Sequence, residues 1–188
     1  MTLPDLLRRI TEILDDASIP YMLTGSLAVA FYATPRATQD IDLVVEVPTD
    51  KLAALVERIS DSGLYVSLGA AREAFLREGQ FNAIDPETGW KVDFIIRKSR
   101  AFSVSEFSRR RPESALGLEL PLVSREDLIL AKLEWAKKSG SELQLRDVGA
   151  LFRHGEPDLD HAYLERWIED LELAELWEEV RRSVDAEP

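Results

Sequence analysis

The chain has 188 residues, 45% apolar and 31% charged, with 9 Gly and 9 Pro, which is ordinary globular composition. With no cysteine and only two histidines, it excludes disulfide frameworks, thiolate catalysis, Fe–S clusters and Cys- or His-rich metal sites. The formal charge of −12 is uneven: residues 154–188 hold 12 acidic and 3 basic side chains, leaving only −3 on residues 1–153. No apolar run approaches the ~20 residues of a membrane span, and Met1-Thr2-Leu3-Pro4-Asp5 lacks the pattern of a signal peptide. A cytoplasmic protein with no membrane partner is the expectation.

In chain order, Leu6, Leu7, Ile10, Ile13 and Leu14 recur at helical spacing from Thr2 to about Ser18, with Thr2 as N-cap. Tyr21-Met22-Leu23 reads as a strand, and Gly25-Ser26 opens a short buried helix ending near Tyr32. Asp40 to Val47 alternates and then turns continuously apolar, the pattern of a central strand. Thr49 is expected to cap a helix from Asp50 to Ser62, closed by Gly63. Leu64-Tyr65-Val66 reads as a strand and Ala70 to Glu78 as a helix. Phe81–Ile84, the turn Asp85-Pro86-Glu87-Thr88-Gly89 and Trp90–Ile96 read as a hairpin. The sheet core of an α/β or α+β fold is expected to end near Arg97.

Arg97, Lys98, Arg100, Arg109, Arg110 and Arg111 then form a basic stretch opposed by Glu106 alone, suited to a polyanionic acceptor such as RNA or to a solvated loop. Ser124 and Asp127 resemble a capping box at the start of a helical region, with helices expected at 125–138, 141–153, 159–170 and 172–183. The last two pair an apolar stripe with a dense acidic face, which reads as a packed amphipathic appendage. The division expected is a sheet core at 1–120 and a helical region with an acidic tail at 121–188.

Three aspartates carry the chemistry. Asp40 and Asp42, two apart on a strand, point to one face, and Asp93 sits mid-strand where a solvated charge is out of place. Carboxylates gathered on neighbouring strands repel one another, and a hard divalent ion such as Mg²⁺ or Mn²⁺ resolves this. The alternative is that Asp40 belongs to a turn, Asp42 to an edge, and Asp93 to a salt bridge with Lys91 or Arg97. Gly25-Ser26, between strand and helix, supplies backbone N–H groups, a helix N-terminus and a hydroxyl for a phosphate.

Thr24-Gly25-Ser26-Leu27-Ala28 followed by Pro35-Arg36-Ala37-Thr38-Gln39-Asp40-Ile41-Asp42-Leu43 resembles the signature of the DNA polymerase β-like nucleotidyltransferase superfamily. The Arg-x-Thr-x-Asp-Ile-Asp-Leu form and Asp127-Leu128-Ile129…Lys132 resemble its branch of AbiEii-type toxins and related bacterial nucleotidyltransferases. Where that branch continues Lys/Arg-Asp-x-x-Asp, Arg146-Asp147-Val148-Gly149-Ala150 keeps the first acid and loses the second. The resemblance covers roughly 20–153. It implies a mixed sheet flanked by helices, and an Mg- or Mn-dependent transfer of a nucleoside monophosphate from an NTP to an acceptor. Asp40, Asp42 and Asp93 would be the catalytic acids and metal ligands. Gly25 and Ser26 would cradle phosphates, with Arg36 and Lys132 as further nucleotide contacts. The acceptor stays open between tRNA, protein and a small molecule, and the resemblance implies a toxin–antitoxin setting. A catalytically idle antitoxin or binding module, or a sensor of Mg·NTP, is the rival reading.

Overall fold

The computed structural model describes residues 2–33, 38–155 and 158–186. The chain divides into two compact units, Met1–Leu27 with Arg36–Val123, and Ala28–Pro35 with Ser124–Pro188. The first is built on a seven-stranded mixed sheet. Its strands are β1 (Tyr21–Thr24), β2 (Asp40–Val45), β3 (Tyr65–Val66), β4 (Gln80–Ile84), β5 (Lys91–Ile96), β6 (Arg111–Ala115) and β7 (Leu118–Leu122). They lie in the order β3-β4-β5-β2-β1-β7-β6, so the strand that carries Asp40 and Asp42 is central.

Strand β2 pairs antiparallel with β1 and parallel with β5, in a register that sets Ile41, Leu43 and Val45 beside Val92, Phe94 and Ile96. All six are buried, and Phe94 stacks on Phe81 of β4 with ring centroids 5.0 Å apart. This apolar layer is the core of the unit. Helix α1 (Leu3–Asp16) turns Leu6, Leu7, Ile10 and Leu14 inward and starts with the capping box of Thr2 and Asp5. It packs against α3 (Leu52–Asp61), which in turn packs against α4 (Leu68–Arg77).

Two expectations are corrected here. Thr49 does not cap α3: residues 49–51 form a turn and the helix begins at Leu52 with no side-chain cap. The lysine at that start, Lys51, instead donates to the carbonyls of Ala17 and Ser18 at 2.7 and 3.3 Å, tying it to the end of α1. Nor does the sheet end near Arg97. After α5 (Ala101–Ser108), strands β6 and β7 form a hairpin, and β7 joins β1 in parallel through Leu23 and Leu122. Proline in both strands hides them from pattern reading, and the sheet tolerates Pro112 because β6 is an edge.

The second unit contains most of α2 (Gly25–Tyr32), with α6 (Arg125–Ser139), α7 (Glu142–Gly155), α8 (His161–Asp170) and α9 (Ala174–Ala186). Ser124 caps α6, accepting from the Asp127 N–H while its hydroxyl donates to the Asp127 carboxylate at 2.5 Å. The acidic tail is a packed appendage. Trp177 meets Phe152 edge-on, and a Cβ at Gly149 would already touch Val184 at 3.5 Å, so α7 and α9 approach closely there. Between α6 and α7 lies a buried ion pair, Lys132 Nζ to Asp147 Oδ2 at 2.8 Å, with both side chains more than nine-tenths covered.

Removing one partner of a buried pair strands the other charge. Asp147→Ala should therefore cost about 3–5 kcal/mol in urea unfolding, and the apolar replacement of both partners, Lys132→Met with Asp147→Leu, should cost less.

Candidate active site

Register builds the site. Across β1, β2, β5 and β4, the backbone sets Thr24, Asp42, Asp93 and Asn82 in one row on the face opposite Leu23, Leu43, Phe94 and Phe81. The next row sets Asp40 beside Lys91. Register thus places Asp40, Asp42 and Asp93, residues up to 53 positions apart in the chain, on one face of two adjacent strands.

Gly25 completes the patch from the end of β1. It opens α2 at φ +66°, a left-handed conformation that suits glycine, and any Cβ there would collide with the Asp42 carboxylate. Ser26 follows in the first turn of α2. The strand-to-helix junction and the acidic strand are therefore in direct contact.

Asp93 is the buried member, only 6% exposed. Its Oδ2 accepts from Lys91 Nζ at 2.8 Å, whereas its Oδ1 is buried with no hydrogen-bond partner among the described residues. Lys91 also reaches Asp40 Oδ1 at 3.5 Å. The hydrogen bond to Asp93, with the charges of Asp93 and Asp40, raises the Lys91 pKa above the ordinary lysine value, although burial opposes the rise. The salt-bridge alternative for Asp93 is thus present in the structure with Lys91. Arg97 is engaged elsewhere, by Glu46 at 2.5 Å.

The remaining sequence candidates are Arg36, Lys132 and the basic stretch. Arg36 is outside the described residues. Lys132 belongs to the second unit, where its ammonium donates to Asp147 and to Gln144 at 2.9 Å. The basic stretch is not a loop: it spans α5 and its flanks. Arg100 there donates to Ser103 at 3.0 Å, and Arg110 lies 4.0 Å over the Phe107 ring and donates to the Phe107 carbonyl. Sequence reading missed Thr24 and Asn82, and weighed Lys91 only as a partner for Asp93. The alternation Phe81-Asn82-Ala83 does put Asn82 opposite the core residues, but its row depends on pairing with β5.

The donor set suits a hard divalent ion: carboxylate oxygens only, one of them buried and unsatisfied, beside a glycine whose missing Cβ gives the Asp42 carboxylate its place. Among the described residues no three acidic or histidine side chains yet converge as a metal cluster, and Lys91 stands between Asp40 and Asp93.

Solved structures share this architecture. The antibiotic-resistance factor ANT(2'')-Ia, in complex with adenylyl-2''-tobramycin, matches with a TM-score of 0.61 at 16% identity, over 92% of this chain and 98% of that one. The chain has the nucleotidyltransferase fold. The lincosamide antibiotic adenylyltransferase LnuA, bound to lincomycin, matches at 0.54 and 14% identity, over 80% of this chain and 96% of that one. An antigenic nucleotidyltransferase-like protein from Paracoccidioides brasiliensis matches at 0.55 and 17%, over 95% and 92%. No family model and no curated protein matches the chain. Among the described residues no helix is long and apolar enough to cross a membrane.

The contact between Gly25 and Asp42 gives a direct test. Gly25→Ala should destabilise the protein by at least about 1–2 kcal/mol from the left-handed backbone alone, with more from displacing Asp42, read as a lowered midpoint in thermal unfolding.

Proposed function

We propose that the chain is a nucleotidyltransferase that moves a nucleoside monophosphate from an NTP to the hydroxyl of an acceptor. One observation carries this reading: a buried, unsatisfied Asp93 oxygen in register with Asp42, whose carboxylate packs against Gly25 where any side chain would collide with it. In this reading Asp40, Asp42 and Asp93 hold Mg²⁺ or Mn²⁺. When bound, such an ion would supply positive charge against the triphosphate.

The chain's own residues position and exchange a proton. Gly25 and Ser26, at the N-terminus of α2, offer backbone N–H groups and a hydroxyl to the phosphates. Asp93 accepts the proton of the acceptor hydroxyl. The acceptor oxygen then bonds to the α-phosphorus as the bond to the bridging oxygen breaks, and pyrophosphate leaves. Such transfer asks little covalent chemistry of the protein, so carboxylates and a phosphate cradle suffice.

For the acceptor, a small hydroxyl-bearing molecule is the better supported class. ANT(2'')-Ia and LnuA act with antibiotics, and this chain spans nearly their whole lengths. The finer assignment to an AbiEii-type toxin acting on tRNA or protein rests on the sequence motif alone. A second reading, a nucleotide sensor or otherwise idle member of the fold, has one observation in its favour: Lys91 already bridges Asp40 and Asp93, whose oxygens a catalytic ion would need.

The purified chain should bind Mg·ATP in calorimetry, and Asp42→Asn should weaken binding by at least the ~10–100-fold typical of residues that support a metal site. Asp93→Asn should keep most binding but lose pyrophosphate release in the presence of an aminoglycoside or lincosamide panel. Binding by the wild type with no pyrophosphate from any nucleotide or acceptor, bulk tRNA included, would favour the sensor reading. No binding at all would reject both.

A further inference from the structure

This inference rests on the reading of Asp40, Asp42 and Asp93 as a divalent-ion site. Lys91 stands across from Asp40 on the adjacent strand and two residues before Asp93, hence on the same face of the sheet. Its Nζ lies 2.8 Å from Asp93 Oδ2 and 3.5 Å from Asp40 Oδ1. One ammonium therefore spans the two strands that supply the ligands. It satisfies one Asp93 oxygen and leaves the other, buried, without a partner among the described residues.

The arrangement is also open on one side. The Lys91 and Asp40 side chains are 33% and 49% exposed, so the ammonium sits at the open side of the patch, on a long flexible stem, while Asp93 lies behind it. A divalent ion and an ammonium on the same carboxylate oxygens repel each other strongly, because charges at such short range are poorly screened. An ion that takes Asp93 and Asp40 must displace Lys91.

We propose that Lys91 is a positioning residue that stands in for the divalent ion: it offsets the repulsion between Asp40 and Asp93 in the ion-free protein and gives up both when the ion arrives. The released ammonium then lies beside the triphosphate that accompanies the ion, and pairs with it. Lys91 thus opposes a bare cation and favours a cation delivered with its nucleotide, which couples the two ligands.

The test uses the full chain and Mn²⁺ alone, with binding read from the electron paramagnetic resonance of free Mn²⁺. Lys91→Met should tighten Mn²⁺ binding by about 5–150-fold, the usual span of such couplings, and Lys91→Arg should stay near wild type. The gain should shrink or reverse when Mn·ATP replaces Mn²⁺. A purely structural lysine would not raise metal affinity on removal. On the wild type, lysine acetylation followed by mass spectrometry should increase at Lys91 when Mn²⁺ is added, and stay constant at Lys51. If Lys91→Met does not fold, the acetylation result decides alone.

A folded Lys91→Met that binds Mn²⁺ no more tightly, or Lys91 acetylation that does not rise, overturns the proposal. If Asp42→Asn still weakens Mn²⁺ binding in that case, the ion site itself survives. An Asp42→Asn variant that binds Mn²⁺ as well as wild type overturns the ion site, and this inference with it.

Discussion

The parallel, in-register pairing of β2 with β5 is the constraint on which the candidate site depends. On one face it buries Ile41, Leu43 and Val45 against Val92, Phe94 and Ile96; on the other it sets Asp42 beside Asp93 and Asp40 beside Lys91. These faces are inseparable, since side chains alternate with a period of two. A slip of one residue would turn Asp93 into the core and Phe94 out of it. Apolar burial therefore holds together carboxylates that repel each other, and Lys91 offsets part of that repulsion.

Two lysines in this chain show how setting decides what a buried carboxylate does. Lys132 and Asp147 are both more than nine-tenths covered and bridge neighbouring helices, so their pair is part of the packing of the second unit. Lys91 is one-third exposed and shares two aspartates, one half-open and one buried. Breaking the first pair leaves a charge in an apolar interior, which is costly. Exchanging the second for another cation leaves no such debt, because its ammonium can move into water. The first is a clamp; the second has the form of an exchangeable contact.

The fold likeness to antibiotic adenylyltransferases spans 80–92% of the chain at 14–16% identity. What such distant chains share is the placement of strands and helices, and a fold alone hosts many activities. What ties this fold to a chemistry is the grouping of Gly25, Asp42 and Asp93. Their contact and register are properties of this chain.

The order of elements through β5, the helical second half and the paired faces of Asp40 and Asp42 were legible in the amino-acid pattern, because each rests on local periodicity or on caps within four residues. The Asp-x-Asp spacing and the Gly-Ser before it also carried the family resemblance. Strands β6 and β7 were not legible: prolines interrupt their pattern, and they are strands only because β1 offers an edge for β7 to join. That Asp93 stands beside Asp42, that Lys91 bridges Asp40 and Asp93, that Asn82 shares their row, and that Asp147 holds Lys132 are long-range facts. Local sequence says which way a side chain points from its own strand or helix. Only tertiary pairing decides register, and with it which charges become neighbours and which oxygen is left buried without a partner.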